Sequence, residues 1–435
     1  MQPLLPEILR PSTGTTRKLR ADYETFAAAP YPAAVEEHVR DAYGIDLSAR
    51  FGHLALRHPI GKASGQLSLS PAQVRADAEG GLAFVVLKTL IAENPEGASR
   101  MQAWKVPASR MVCERITSRR REEGWTISWV GRGWEKSLAE YAAFLETALE
   151  IARDRSLPIV PSVKFHLPDD PEADYDRSEY RHTLGVLHAA WKRAGQTSPL
   201  LVEKDFSPTL AGSDLAREKR TVLRWLAEVP RLARSCLPEG ELALGVKVMN
   251  TLFEDEFQLR LLRELMAQRP PPAFLTLFNR LFDSERHLGD TRGIAYGGHD
   301  LSDRNLEVLE RWVLENARGR RRQKSRDSEA DGGDNECPEV PVSGTGNIES
   351  GKMMVEYALR GASSGQIHTY FQLPRSEYRS SLPRSRAALH EIVFHPERGL
   401  VAALDHLRLA AGIAGEIRFL DLPTLGRQLL EARHG

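Results

Sequence analysis

Apolar residues in this chain fall into short runs separated by stretches of helical period. Residues 81–87, Gly-Leu-Ala-Phe-Val-Val-Leu, are almost wholly apolar, as a strand covered on both faces of a parallel sheet must be. Comparable runs stand at 58–64, 159–165, 200–206, 243–248, 274–279, 340–342 and 365–369. Between them, Leu138, Tyr141, Leu145 and Ala148 share one helical face, and so do Met353, Met354, Tyr357 and Ala358. Eight strands alternating with helices predict an α/β fold with a parallel barrel. A further strand over 51–57 is expected to close the barrel floor.

The pattern divides the chain. Residues 1–50 form an N-terminal extension with one helical run at 33–43, expected to pack on the barrel spanning 51–415. An Arg-, Trp- and Gly-rich insertion occupies 90–135 on the substrate side. A helix over 301–316 runs into 317–338, a basic block followed by an acidic, Gly-rich block. That stretch has too few apolar residues to offset its ordering entropy, so a disordered loop is predicted. Closing helices are expected within 384–413, and 416–435 adds a C-terminal helix.

Charge narrows the partners. Across 435 residues, 59 basic side chains balance 59 acidic ones, so nothing points to nucleic acid. No run approaches the roughly 20 apolar residues of a membrane span. Cys113, Cys236 and Cys337 lack CxxC spacing, and His166, His182, His299 and His368 form no HxxE or HxH pattern. A metal or iron–sulfur site is therefore not expected. With no apolar leader at its start, the chain reads as cytoplasmic.

The most informative stretch is 339–372. A strand ends in Ser343-Gly344-Thr345-Gly346-Asn347, a helix starts near Ser350, Gly361 stops it, and a second strand reaches Thr369. This is a βαβ unit whose glycine turn can aim backbone N–H groups and a helix dipole at an anion. A plain tight turn is the competing account. These residues, with Gln366-Ile367-His368-Thr369, resemble the last two βα units of the dihydroorotate dehydrogenase family. The resemblance implies an FMN-binding (β/α)8 TIM barrel whose loops after strands 7 and 8 hold the flavin phosphate. Asn347 stands where that family has a second glycine, and His368 where it has a small residue or Tyr.

Other stretches match as well. Ala63-Ser64-Gly65 is similar to the family's first strand exit, where small residues admit a planar ring. Lys88-Thr89 corresponds to flavin contacts, Gly245-Val246-Lys247 to the fifth strand, and Asn279 to a substrate-contacting Asn. Tyr296-Gly297-Gly298-His299 matches the turn before strand 7, which places Gly298 at the cofactor. On a gapless alignment with the family's Asn-x-Ser-[Ser/Cys]-Pro-Asn-x-x-Gly, Ser207 takes the catalytic base and Lys204 the first substrate Asn. The insertion lacks the family's asparagines.

Lys247 is the leading chemical candidate, because a lysine within a buried strand is costly unless paired. Beside a flavin it stabilises the negative charge of the reduced ring. A strand-end lysine reaching to solvent is the plainer account of Lys247 and of Lys88. Ser207 reads equally well as a base, which needs activation, and as a Ser-Pro turn. His368 could help neutralise a phosphate or be an ordinary surface histidine. The resemblance implies an FMN-dependent dehydrogenase acting on a CH–CH group. Proton abstraction would accompany hydride transfer to flavin N5, from a small cyclic substrate with anions among the candidates. The resemblance also implies a place in pyrimidine metabolism; dihydroorotate itself stays an option but is not favoured, since Asn279 alone matches the substrate asparagines. A homodimer is an open option. Two rivals remain: a catalytically retired flavin- or phosphate-binding barrel, and a flavin-free phosphosugar enzyme.

Overall fold

A computed structural model describes the chain except residues 1, 29–30, 106–110, 118–120, 122, 130–132, 169, 171, 207–218, 289–290, 297–298, 328–338 and 435. Its centre is a barrel-like sheet of ten short strands, all neighbours parallel, surrounded by helices. The strand order is 90–91, 162–164, 200–205, 242–249, 275–279, 342–345, 362–367, 60–62, 85–86, 159–160. All six residues of Leu200–Asp205 are buried, as two covered faces require. At the two ends of that order, Val85–Val86 pairs with Ile159–Val160, and Leu90–Ile91 pairs with Ser162–Lys164. Pro161 separates the latter two segments and has no N–H to donate, but its carbonyl accepts from Glu203 N at 2.9 Å.

The N-terminal edge of the sheet is plugged by aromatic rings. An antiparallel hairpin, Ala49–Phe51 with Leu54–Leu56, sets Phe51 4.5 Å from Phe84 and 4.2 Å from Phe274 between ring centres. Gly61 and Gly245 make room there, because a Cβ would lie 2.2 Å from Phe84 and 2.1 Å from Phe274. The floor expected over 51–57 is therefore a hairpin that begins at Ala49.

The opposite edge is roofed by two antiparallel hairpins. One, Met111–Thr117 with Glu123–Trp129, comes from the expected 90–135 insertion. The other, Leu281–Leu288 with Thr291–Tyr296, was not foreseen. Arg115 of the first hairpin reaches Glu377 at 3.4 Å, beyond the last sheet strand.

The N-terminal residues are built into the fold. Glu356 accepts from Leu4 N and Leu5 N at 3.1 and 2.7 Å, and Asp405 accepts from Ser12 N at 2.7 Å. Tyr23 of helix Thr13–Ala28 stacks on His390 at 4.7 Å, and Ile45–Asp46 pairs with Ile417–Arg418. Among the described residues no helix is long and apolar enough to cross a membrane.

The βαβ reading of 339–372 shifts slightly: the strands are Val342–Thr345 and Ala362–Ile367, and the helix is Gly351–Ala358. Ser350 caps that helix, accepting from Met353 N at 3.1 Å. One expectation needs correction. Helix His299–Asp327 continues through the basic block, so the first half of the predicted disordered loop is helical. Arg and Lys are good helix formers and suit a helix C-terminus. Residues 328–338 lie outside the described part.

Candidate active site at the roofed edge of the sheet

Charged residues inside the sheet define the site. Along Leu200–Asp205, Glu203 and Asp205 face inward and Lys204 outward, as strand alternation dictates. Glu203, fully buried, accepts from Ser162 Oγ at 3.2 Å, Thr276 Oγ1 at 3.0 Å and Gln366 Nε2 at 2.8 Å. Lys247 Nζ lies 3.5 Å from the same carboxylate. Four other strands thus converge on one side chain. Barrel interiors are ordinarily filled by branched aliphatics, so this polar layer marks a site. Glu203 was missed from sequence; its only signal was an ionisable pair two residues apart in an apolar strand.

A second layer lies toward the roof. Lys164 Nζ donates to Asp205 at 2.5 Å, and Thr89 Oγ1 lies 3.4 Å from the same carboxylate. Thr89 also contacts Ser162 Oγ at 3.1 Å and Ser64 Oγ at 2.7 Å, so the two expected cofactor residues do meet. Ala63 joins the last strand through its N–H to Ile367 O at 2.9 Å. Lys88 is buried nearby, and its amine is pushed down to about 7. Burial is the main cause, Lys164, Arg280 and Lys247 add to it, and Asp205 opposes. Lys164 is lowered too, by burial, against the pull of Asp205.

His368 faces the same mouth. Burial, then Lys88, Arg280, Lys62 and Lys247, hold it well below the usual imidazole range. Its ring accepts from Gln372 Nε2 at 3.1 Å and packs on Gly65, where a Cβ would come 2.0 Å from His368 Nε2. The planar group that requires glycine at this strand exit is therefore the protein's own imidazole.

The turn at 343–347 is held from outside the sheet. A Cβ on Gly344 would lie 2.7 Å from Tyr357, and one on Gly346 2.7 Å from Leu301. Gly346 has φ +104° and Asn347 φ +54°, and Asn347 Nδ2 donates to Ser302 Oγ at 3.0 Å. Thr345 Oγ1 donates to Gln366 O at 2.9 Å, while Tyr357 OH donates to Gly346 O at 2.8 Å. Helix packing thus explains Gly344 and Gly346 independently of any ligand. Thr369 opens a short 3₁₀ turn to Gln372, and Asn279 ends its strand with its carbonyl accepting from Asn250 N at 3.2 Å.

Lys204 is a correction. Its amine donates to Asp205 O at 2.9 Å and lies over the Phe206 ring at 4.3 Å, on the outer face of the sheet. The inward residue at this strand end is Asp205, one position on. Ser207 and Gly298 lie outside the described residues. Among the described residues no group of three His, Cys, Asp or Glu could hold a metal.

No family model matches the chain, and no curated protein matches it. Lys164, Lys247 and Arg280 face two carboxylates, Glu203 and Asp205, with the weakly basic Lys88 beside them. That surplus of positive charge suits a phosphorylated or otherwise anionic ligand. FMN fits the charge of this mouth, whereas His368 covers the seat over Gly65.

Proposed function

We propose that the ten sheet segments are eight strands of a closed (β/α)8 barrel. Segments 85–86 and 90–91 are then one strand, interrupted at Lys88-Thr89, and 159–160 and 162–164 another, interrupted at Pro161. Pairing supports this: Leu87 N donates to Val160 O and Ala92 N to Lys164 O, both at 2.9 Å, so one strand pair spans both interruptions.

On this barrel we propose an FMN-dependent dehydrogenase resembling the dihydroorotate dehydrogenase family, acting on a small anionic substrate. The observation that carries the reading is Lys247, buried within a central strand and held over Glu203 in a cation-rich mouth. A bound flavin supplies the hydride acceptor. Lys88 and Lys247 would hold it, Thr89 and Ser64 would line its edge, and His368 would turn aside from Gly65. Asp205 and Lys164 would meet the substrate, in place of Lys204. Ser207 keeps its proposed place as proton acceptor, and a cytoplasmic homodimer belongs to the same proposal.

The test is the visible spectrum of the purified protein with mass analysis of any released chromophore. Flavin bands and released FMN are expected, with Lys247→Met lowering FMN affinity about tenfold, a loss of ~1.4 kcal/mol. A colourless protein that takes up no added FMN sinks the proposal. His368 over Gly65 favours one second reading, a flavin-free barrel that binds an anionic metabolite in the same mouth.

A further inference from the structure

Lys88 differs from the other lysines of the mouth. Lys164 has Asp205 and Lys247 has Glu203, but Lys88 has no hydrogen-bond or ion-pair partner among the described residues. Its backbone is fixed, with its N–H donating to Ser68 O at 2.7 Å, at the interruption between Val85–Val86 and Leu90–Ile91. The groups acting on it come from separate elements: Lys164 and Asp205 from two strands, Lys247 from a third, Arg280 after a fourth, and His368 beyond the last. Asp205 is already engaged by Lys164 at 2.5 Å. A buried ammonium here is costly, lacking a partner and facing three cations.

We infer that Lys88 is a carbonyl-capturing lysine, whose neutral amine forms an imine with an aldehyde or 2-oxo acid that also carries an anionic group. The cations that disfavour a charge on Lys88 also attract the anion of the ligand. A neighbouring cation is a recognised means of activating a lysine nucleophile. In the reaction the amine lone pair forms a C–N bond as the carbonyl π bond breaks, and the nitrogen proton passes to oxygen. The resulting carbinolamine takes up one proton and expels water, leaving a protonated C=N bond. No oxidant or reductant is consumed. The depressed basicity of Lys88, about 7, fits a nucleophile ready at neutral pH. The inference does not depend on a flavin, and it gives Lys88 a covalent role in place of the flavin contact proposed above.

The test exposes the purified full-length protein to glyoxylate with cyanoborohydride as the reductant, followed by peptide mass mapping across pH. Neutral amine at Lys88 should rise about tenfold from pH 6 to 8 and then level off, whereas a surface lysine rises about a hundredfold without levelling. Glyoxylate should label Lys88 faster than uncharged acetaldehyde does. Lys88→Met should abolish that adduct and leave surface labelling unchanged. Lys164→Met, which removes one neighbouring cation, should move the labelling midpoint upward. Labelling of Lys88 that follows surface lysines, absence of an adduct there, or equal labelling by acetaldehyde overturns the inference.

Discussion

At the residue scale, Glu203 is the group on which the interior depends. It satisfies donors from three strands and faces Lys247. Removing it leaves a buried cation unpaired, so Glu203→Ala should cost ~3–5 kcal/mol, read by urea unfolding. Glu203→Gln keeps the shape and some hydrogen bonds and should cost less; equal losses would mean that the charge is irrelevant. His58 provides a pH test. It is fully buried, its Nε2 bonds Gly81 O at 2.8 Å, and burial pushes it down to about 3. Between that value and the ordinary 6.5 the unfolded chain binds a proton that the folded chain does not, so stability rises with pH across the window. From pH 7 to pH 5 this one group should remove about 2 kcal/mol. His58→Gln should flatten that slope, and an unchanged slope would contradict the assignment.

At the element scale, close approaches between helices set the frame around the sheet. A Cβ on Gly351 would lie 1.9 Å from Leu400 N and 2.4 Å from Ile392 O, both backbone atoms that cannot swing away. Gly351→Ala should therefore cost roughly 3 kcal/mol. Gly185, inside helix Arg177–Arg193, is the opposite case, since a Cβ there would meet nothing within 4 Å. Gly185→Ala should stabilise by about 0.5–1 kcal/mol through helix propensity. Chemical denaturation of both variants checks the pair, and a shift of the same sign in each would refute the contrast. These approaches also explain why glycine spacing alone misled. Gly344 and Gly346 are needed for Tyr357 and Leu301, so the motif's glycines carry fold information before they carry ligand information.

At the scale of the whole molecule, the two ends of the chain are joined. Phe26 packs edge-on against Phe394 at 5.1 Å, and buried Arg360 pairs with Glu356, whose carboxylate also holds the N–H groups of Leu4 and Leu5. Deleting residues 1–44 should uncover an apolar helical face, lower the melting temperature and promote self-association. Calorimetry and size-exclusion chromatography test this; an unchanged melting temperature and elution volume would mean that the extension is dispensable. What the amino-acid order determined by itself was the alternation of buried strands and amphipathic helices, because burial on both faces leaves a local, continuous apolar signature. It also singled out Lys247 and Lys88, since a charge in such a run stands out. The roofing hairpin Leu281–Leu288 with Thr291–Tyr296 was illegible, because its polar sequence has no single apolar face to betray it. The direction of Lys204 was misread because a slip of one residue exchanges the two faces of a strand. Only the tertiary structure could bring Gln366 to Glu203 across 163 positions, or lay His368 over Gly65. Those contacts depend on which strands become neighbours, and hydrogen bonds between distant segments leave no periodic trace along the chain.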